Sequence, residues 1–302
     1  MKRPTRASLA GSAYLDLQNR ARKERRGTQE LLTLYVVERW LARLSASPHA
    51  SKFVIKGGML LAAYDARRPT ADLDALARSI ADDQDTVVTL VSEIADVQLD
   101  DGVEFHTDTA SSRIIREQAR YSGVRIAMDT AISTATVKFR LDVNFGDPIT
   151  PAPGWVTLPP LRAGMEPVRV LGYPVETVLA EKIATAIDLG PANTRVRDYA
   201  DIYTLTGIHA INHSTARQAL LATAAHRRTS VQPLSAAVGG FAQLRRQTYD
   251  AYRTGLGSPG LQLPADLESL VSAVAAFADP LAAHTGETTW QPDGRRWSRL
   301  PN

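Results

Sequence analysis

Two alternating stretches constrain this chain more than any other feature. Ala71-Asp72-Leu73-Asp74-Ala75-Leu76-Ala77 runs with period two, and so does the longer Ala135–Phe145, which carries Asp142. Residues i and i+2 of a strand share a face, roughly 7 Å apart. Asp72 and Asp74 are therefore predicted to face one pocket while Leu73 faces the core. A neighbouring strand bearing Asp142 would add a third carboxylate. Such hard oxygen ligands suit Mg²⁺, which also takes water and substrate phosphates. Two such ions ~4 Å apart can hold the attacking and leaving oxygens of an in-line displacement at phosphorus. Just upstream, a short strand, Lys52–Lys56, runs into Gly57-Gly58 and then a helical run, Met59–Tyr64. Lacking Cβ atoms, the glycines let backbone N–H groups approach a triphosphate at a helix N-terminus. Each signal alone is common: an isolated D-x-D is a solvated strand edge and an isolated Gly-Gly is a turn. The order strand, Gly-Gly-helix, D-x-D strand, third-Asp strand is what favours chemistry.

Composition sets the bounds. At 302 residues, 44% hydrophobic and 22% charged, the chain is an ordinary globular sequence long enough for two packed units. It has no cysteine, which excludes disulfides, thiolate metal sites and cysteine nucleophiles. No apolar run approaches the ~20 residues that span a bilayer, and no long apolar core follows the basic N-terminus. A cytoplasmic protein with no membrane partner is expected. Net charge is only +3, yet residues 1–26 carry eight Lys and Arg against Asp16 and Glu24. This is a solvated basic helix face or a contact for a polyanion.

Helical spacing predicts helices over 7–26 and 28–44, the second with Leu31, Leu32, Tyr35, Val36, Trp40 and Leu41 on its apolar side. A helix over 82–97 and strands over 113–120 and 122–130 follow. Prolines 151, 153, 159 and 160 mark a loop-rich connection, and a domain boundary is placed near residue 160. Beyond it come helices at 173–188, 195–206 with Thr194 as N-cap, 212–226, 234–254 and 266–279. The tail, with Trp290 and Trp297 among arginines, is expected to dock on the body. His209 and His213 are four apart, but Asn212 and Ser214 suggest a helix start between them, which argues against zinc. No G-x-S-x-G or Walker A pattern is present.

The blocks Lys56-Gly57-Gly58, Arg68–Asp74, Leu141–Pro148, Glu181–Ala184 and Arg195–Ile202 occur in one order across residues 56–202. In that order the chain resembles the nucleotidyltransferases of the polymerase-β superfamily, and more closely the AbiEii/AbiGii toxin family with its MenT-like members. The resemblance implies an α/β (α+β) fold: a polymerase-β-like mixed sheet flanked by helices over 1–160, and a helical domain over 161–302 contributing Lys182 and Asp198 to the site. It implies Asp72, Lys182 and Asp198 as catalytic residues, with Asp72 and Asp74 on the metal. Gly57, Gly58, Thr70 and Lys182 would lie at the nucleotide. Thr70 matches a Ser/Thr that a kinase-like antitoxin phosphorylates in related toxins. Arg197 stands where many relatives have lysine, and a planar fork is not a point-charge ammonium. The implied activity is a Mg²⁺-dependent transfer of NMP from an NTP, CTP or UTP favoured, to the 3′ end of tRNA. Aminoacylation and translation would stop, with a cognate antitoxin as partner and a role in growth arrest or phage defence.

Read without the resemblance, Lys182 is a surface lysine at the edge of an apolar stripe, pairable with Glu181 or Asp188. Asp198 is a first-turn acid complementing a helix dipole, and Asp201 shares a neighbouring face. The proton of the acceptor hydroxyl is left to Asp142 or Asp198. A transferase that places NMP on protein hydroxyls, and a nucleic-acid-binding protein without turnover, are the alternatives.

Overall fold

In the computed structural model, residues 3–117, 121–283 and 287–299 are described. The chain forms two compact units. The first comprises Met1–Ala63, Arg67–Gly146 and Gly154–Gly172, and the second Tyr64–Ala66, Asp147–Pro153 and Tyr173–Asn302.

The first unit opens with two helices. Helix α1 (Leu9–Glu24) starts where the Ser8 side chain accepts from the Gly11 N–H at 3.0 Å, and ends at Arg25 in the left-handed region. Helix α2 (Thr28–Ala46) buries 12 of its 19 residues. Its Trp40 stacks on Phe139 with ring centroids 5.5 Å apart and meets Phe53 edge-on at 5.9 Å. Such aromatic pairs contribute about 0.5–1.5 kcal/mol beyond their burial. Strand β1 (Phe53–Lys56) leads through Gly57 into a single helical turn, α3 (Gly57–Leu60), continued as a 3-10 turn to Tyr64. Strand β2 (Leu73–Ala77), helix α4 (Gln84–Ala95), and the long strands β3 (Glu104–Glu117), β4 (Tyr121–Ile132) and β5 (Ala135–Phe145) follow. Residues 118–120, the end of the strand expected over 113–120, lie outside the described residues, as do His284 and Thr285.

Two further strands, β6 (Gly154–Leu158) and β7 (Val168–Gly172), occupy the stretch expected to be loop-rich and the residues just after it. The prolines mark only their flanks. Gly154–Leu158 is short and pairs solely with β7, so its periodicity is too brief to stand out. The sheet order is β3-β4-β5-β2-β1-β7-β6, with β2 parallel to β5, β1 parallel to β7, and the other neighbours antiparallel. Phe53, Ile55, Leu73, Ala75, Phe139, Leu141 and Val143 are buried on the face that α2 covers. Alternation puts the residues between them, including Asp74 and Asp142, on the opposite face; Asp72, expected on the same strand, lies in a bend just before β2.

The second unit is helical, with α5 (Val175–Leu189), α6 (Val196–Thr206), α7 (His213–Arg227), α8 (Leu234–Ala237), α9 (Phe241–Gly255) and α10 (Leu267–Ala278). The helix expected over 234–254 is two, because Gly239-Gly240 interrupts it and Gly240 takes a positive φ of 81°. Thr194 is not the cap of α6: Asn193 Oδ1 accepts from the Arg195 N–H at 2.8 Å and does the turning. A two-residue strand β8 (Ile211–Asn212) pairs with β9 (Thr289–Gln291), which pairs with β10 (Arg296–Ser298). The tail thus docks on the helices of its own unit. Trp290 Nε1 donates to the Thr206 carbonyl at 2.7 Å, and Trp297 stacks on Phe277. His209 and His213 bond to the carbonyls of Tyr64 and Pro280.

Candidate active site

The first unit brings the predicted acids into one row across the sheet. In register, Lys56 of β1 is opposite Asp74 of β2, Asp74 is opposite Asp142 of β5, and Asp142 is opposite Arg125 of β4. Opposite partners share a face, so two aspartates lie side by side with a cation at each end. Lys56 and Asp142 are buried, and Asp74 is half-buried. Asp72, just before β2, lies one row away, its side chain 39% exposed, with Arg140 Nη1 at 4.0 Å from Oδ1.

The two glycines serve this row through their lack of side chains. Gly57 has φ +67°, and a Cβ there would fall on the Asp74 carboxylate. A Cβ on Gly58 would lie 2.8 Å from both Cβ and Oγ1 of Thr70. Thr70 Oγ1 in turn donates to the Asp72 carbonyl at 3.2 Å. Each glycine therefore lets one member of the Thr70–Asp74 segment approach the start of α3. The sequence reading gave the glycines to a nucleotide; the structure shows their fit to Asp74 and Thr70.

Asp142 is already engaged. Arg125 Nε reaches its Oδ1 at 2.6 Å and Arg125 Nη2 reaches its Oδ2 at 2.5 Å, a two-pronged pair. These bonds, with the nearby charges of Asp72 and Asp74, hold the guanidinium protonated beyond its ordinary range, against the opposing effect of burial. Sequence reasoning did not place Arg125 at the site. Nothing local marks it; pairing with Asp142 depends on the register of β4 and β5.

A divalent cation fits the donor set. Asp72 Oδ1 is shielded from solvent and has no hydrogen-bond partner among the described residues. The available ligands are hard carboxylate oxygens, and Mg²⁺ is typically bound by one or two of these plus substrate phosphates. Among the described residues no three His, Asp or Glu side chains form a ready-made cage, in keeping with Asp142 being occupied by Arg125.

The second unit has its own charged cluster. Lys182 on α5 donates to Asp198 Oδ1 at 2.8 Å and to Asp201 Oδ2 at 2.7 Å, both on α6. Arg195 Nε lies 3.0 Å from Asp198 Oδ2. Both aspartates are buried. Burial alone would raise the Asp198 carboxyl, but Lys182 and Arg195 outweigh it and hold the group below its usual value. The structure thus brings Lys182 onto two acids of the next helix, which the sequence reading of a surface lysine did not anticipate. Asp201, expected on a face neighbouring that of Asp198, is a buried member of the same set.

The chain belongs to the AbiEii nucleotidyl transferase toxin family of type IV toxin–antitoxin systems, whose family model matches residues 39–276. Two solved structures are similar in shape. A candidate nucleotidyltransferase from H. pylori has 15% identity and a TM-score of 0.47, covering 85% of this chain and 96% of its own. JHP933 from Helicobacter pylori has 14% identity and a TM-score of 0.46, covering 83% and 91%. No curated protein matches the sequence. Membership implies an antitoxin as partner, and no helix among the described residues is long and apolar enough to cross a membrane.

Proposed function

We propose that this toxin transfers a nucleoside monophosphate from an NTP, CTP or UTP by preference, to the 3′-hydroxyl of a tRNA. The observation that carries the reading is Asp74 on the sheet face opposite α2, with Asp72 just before β2 and its solvent-shielded Oδ1 lacking a hydrogen-bond donor among the described residues. Asp72 and Asp74 would hold the divalent cation, Mg²⁺ in the cell, with Asp142 as a further carboxylate. When bound, the ion neutralises charge on the phosphates and acidifies the acceptor hydroxyl. The acceptor oxygen forms the new bond to the α-phosphorus, the bond to pyrophosphate breaks, and the hydroxyl proton passes to the carboxylate row.

The glycines at 57 and 58 keep the backbone close to the row, and Thr70 fixes the Asp72 backbone. Lys182 is assigned to the nucleotide phosphates, its ammonium held by Asp198 and Asp201. A tRNA capped in this way lacks the free terminus that aminoacylation needs, which accounts for growth arrest and a use in phage defence. Phosphorylation of Thr70 by a kinase-like antitoxin would put a dianion beside Asp72 and oppose the binding of a nucleotide. The protein acts in the cytoplasm, where tRNA and NTPs are found.

The test is incubation of purified protein with total tRNA, Mg²⁺ and each labelled NTP in turn. Label should enter tRNA from CTP or UTP and should vanish with Asp72→Asn. Label entering protein instead, or an unchanged rate with Asp72→Asn, overturns the reading.

A further inference from the structure

Arg125 is placed to control the carboxylate row. It meets Asp142 side-on, through Nε and Nη2, and so covers both oxygens of that carboxylate. The two residues are direct register partners between β4 and β5, so neither backbone has to bend for the pair to form. Asp142 is in turn the register partner of Asp74. Without a counter-charge, two aspartates side by side repel each other; the fork removes that repulsion from one side of the row.

We propose that Arg125 is a latch: it withholds Asp142 from the divalent cation at Asp72 and Asp74, and releases it only when a further positive charge replaces the guanidinium. The inference rests on the reading that Asp72 and Asp74 hold such a cation. It makes Asp142 a conditional ligand, absent from the first binding event and recruited in a second. A charge-assisted two-pronged bond is among the stronger hydrogen-bonded pairs, so its rupture sets a threshold on cation binding. Lysine cannot reproduce the latch, because a single ammonium cannot cover both oxygens in the fixed plane of a guanidinium.

The test is Mn²⁺ binding to the full chain, followed by the electron paramagnetic resonance signal of the free ion, without nucleotide or RNA. Arg125→Gln should bind Mn²⁺ about tenfold more tightly, the scale of one charge-assisted hydrogen bond. Arg125→Lys should fall between wild type and Arg125→Gln. The gain should disappear in Arg125→Gln/Asp142→Asn, because it requires the freed carboxylate. A gain that survives in the double variant shows Arg125 acting through its charge alone and overturns the latch. Unchanged affinity in a folded Arg125→Gln protein overturns it as well; should that variant fail to fold, Arg125→Lys decides in the same way. Asp72→Asn/Asp74→Asn reports on the underlying reading: if it binds Mn²⁺ as wild type does, the cation site itself is wrong, whatever Arg125 does.

Discussion

Gly57 and Asp74 share one small volume: the Asp74 carboxylate occupies the place where a side chain on Gly57 would begin. Gly57 also has a positive φ, +67°, where a Cβ costs about 1–2 kcal/mol. Gly57→Ala should therefore displace Asp74. A shift of an ångström in a reacting group can lower a rate by about 10²-fold, and a loss of that size is expected. Nucleotide transfer by the purified variant, with circular dichroism to verify the fold, gives the comparison. Gly58→Ala should be milder, because it meets the Thr70 and Arg68 side chains rather than the Asp74 carboxylate and its φ is not positive.

Thr70 separates two roles. Its hydroxyl makes one hydrogen bond, to the Asp72 carbonyl. Thr70→Val removes it and should lower stability by about 0.5–1.5 kcal/mol while retaining most activity. Thr70→Glu places a negative charge beside Asp72 and should abolish transfer and toxicity. Growth of cells expressing each variant distinguishes them, and full toxicity of Thr70→Glu would exclude Thr70 as a switch.

The Lys182 cluster makes stability depend on pH with a definite sign. Asp198 titrates below its ordinary 3.8 in the folded protein, after the attraction of Lys182 and Arg195 outweighs burial. Its contribution is fully present above that ordinary value and is lost as pH falls through the lowered one. Lys182→Met removes the largest attraction and leaves Arg195 in place, so the folded value moves up from its lowered position. That variant should be less stable than wild type at pH 7, and the difference should shrink as the pH falls through the ordinary value of 3.8. Urea unfolding at neutral pH and well below that value reads the difference; an equal loss at both would contradict the assignment.

Asp201→Asn should weaken the same cluster while leaving Asp198 on Lys182. Breaking a buried ion pair costs about 3–5 kcal/mol, and the remaining partner should keep the loss at or below the lower end. If Lys182 binds nucleotide phosphates, the variant should also raise KM for the NTP more than it lowers kcat.

Trp290 should anchor the C-terminal hairpin. It is fully buried, packs edge-on to Phe277 at 5.1 Å and donates to the Thr206 carbonyl. Trp290→Ala should destabilise the protein by about 3–5 kcal/mol, measured by thermal or chemical unfolding.

The local features of the carboxylate row were legible in sequence because strands alternate with period two. Leu73 and Asp74 on β2, and Asp142 on β5, could be assigned to faces before any strand was paired, whereas Asp72, expected on the same strand, lies in a bend just before it. Gly-Gly at the end of β1, the apolar face of α2 and the start of α7 at Asn212 are likewise set by local backbone and packing rules. Whole-chain register was not legible, since it depends on contacts between residues far apart in the sequence. That register alone put Arg125 on Asp142 and Lys56 opposite Asp74. Helix packing alone turned Lys182 toward Asp198 and Asp201. The short strands β6 and β7 were hidden for the same reason: a five-residue strand is defined by the partner it bonds to, and its own residues carry too little pattern. Sequence thus determined which residues carry charge and on which side of their strand they stand, because those are local properties. Tertiary structure decided which charges neutralise one another, because Coulomb attraction and hydrogen bonds act over a few ångströms that only folding closes.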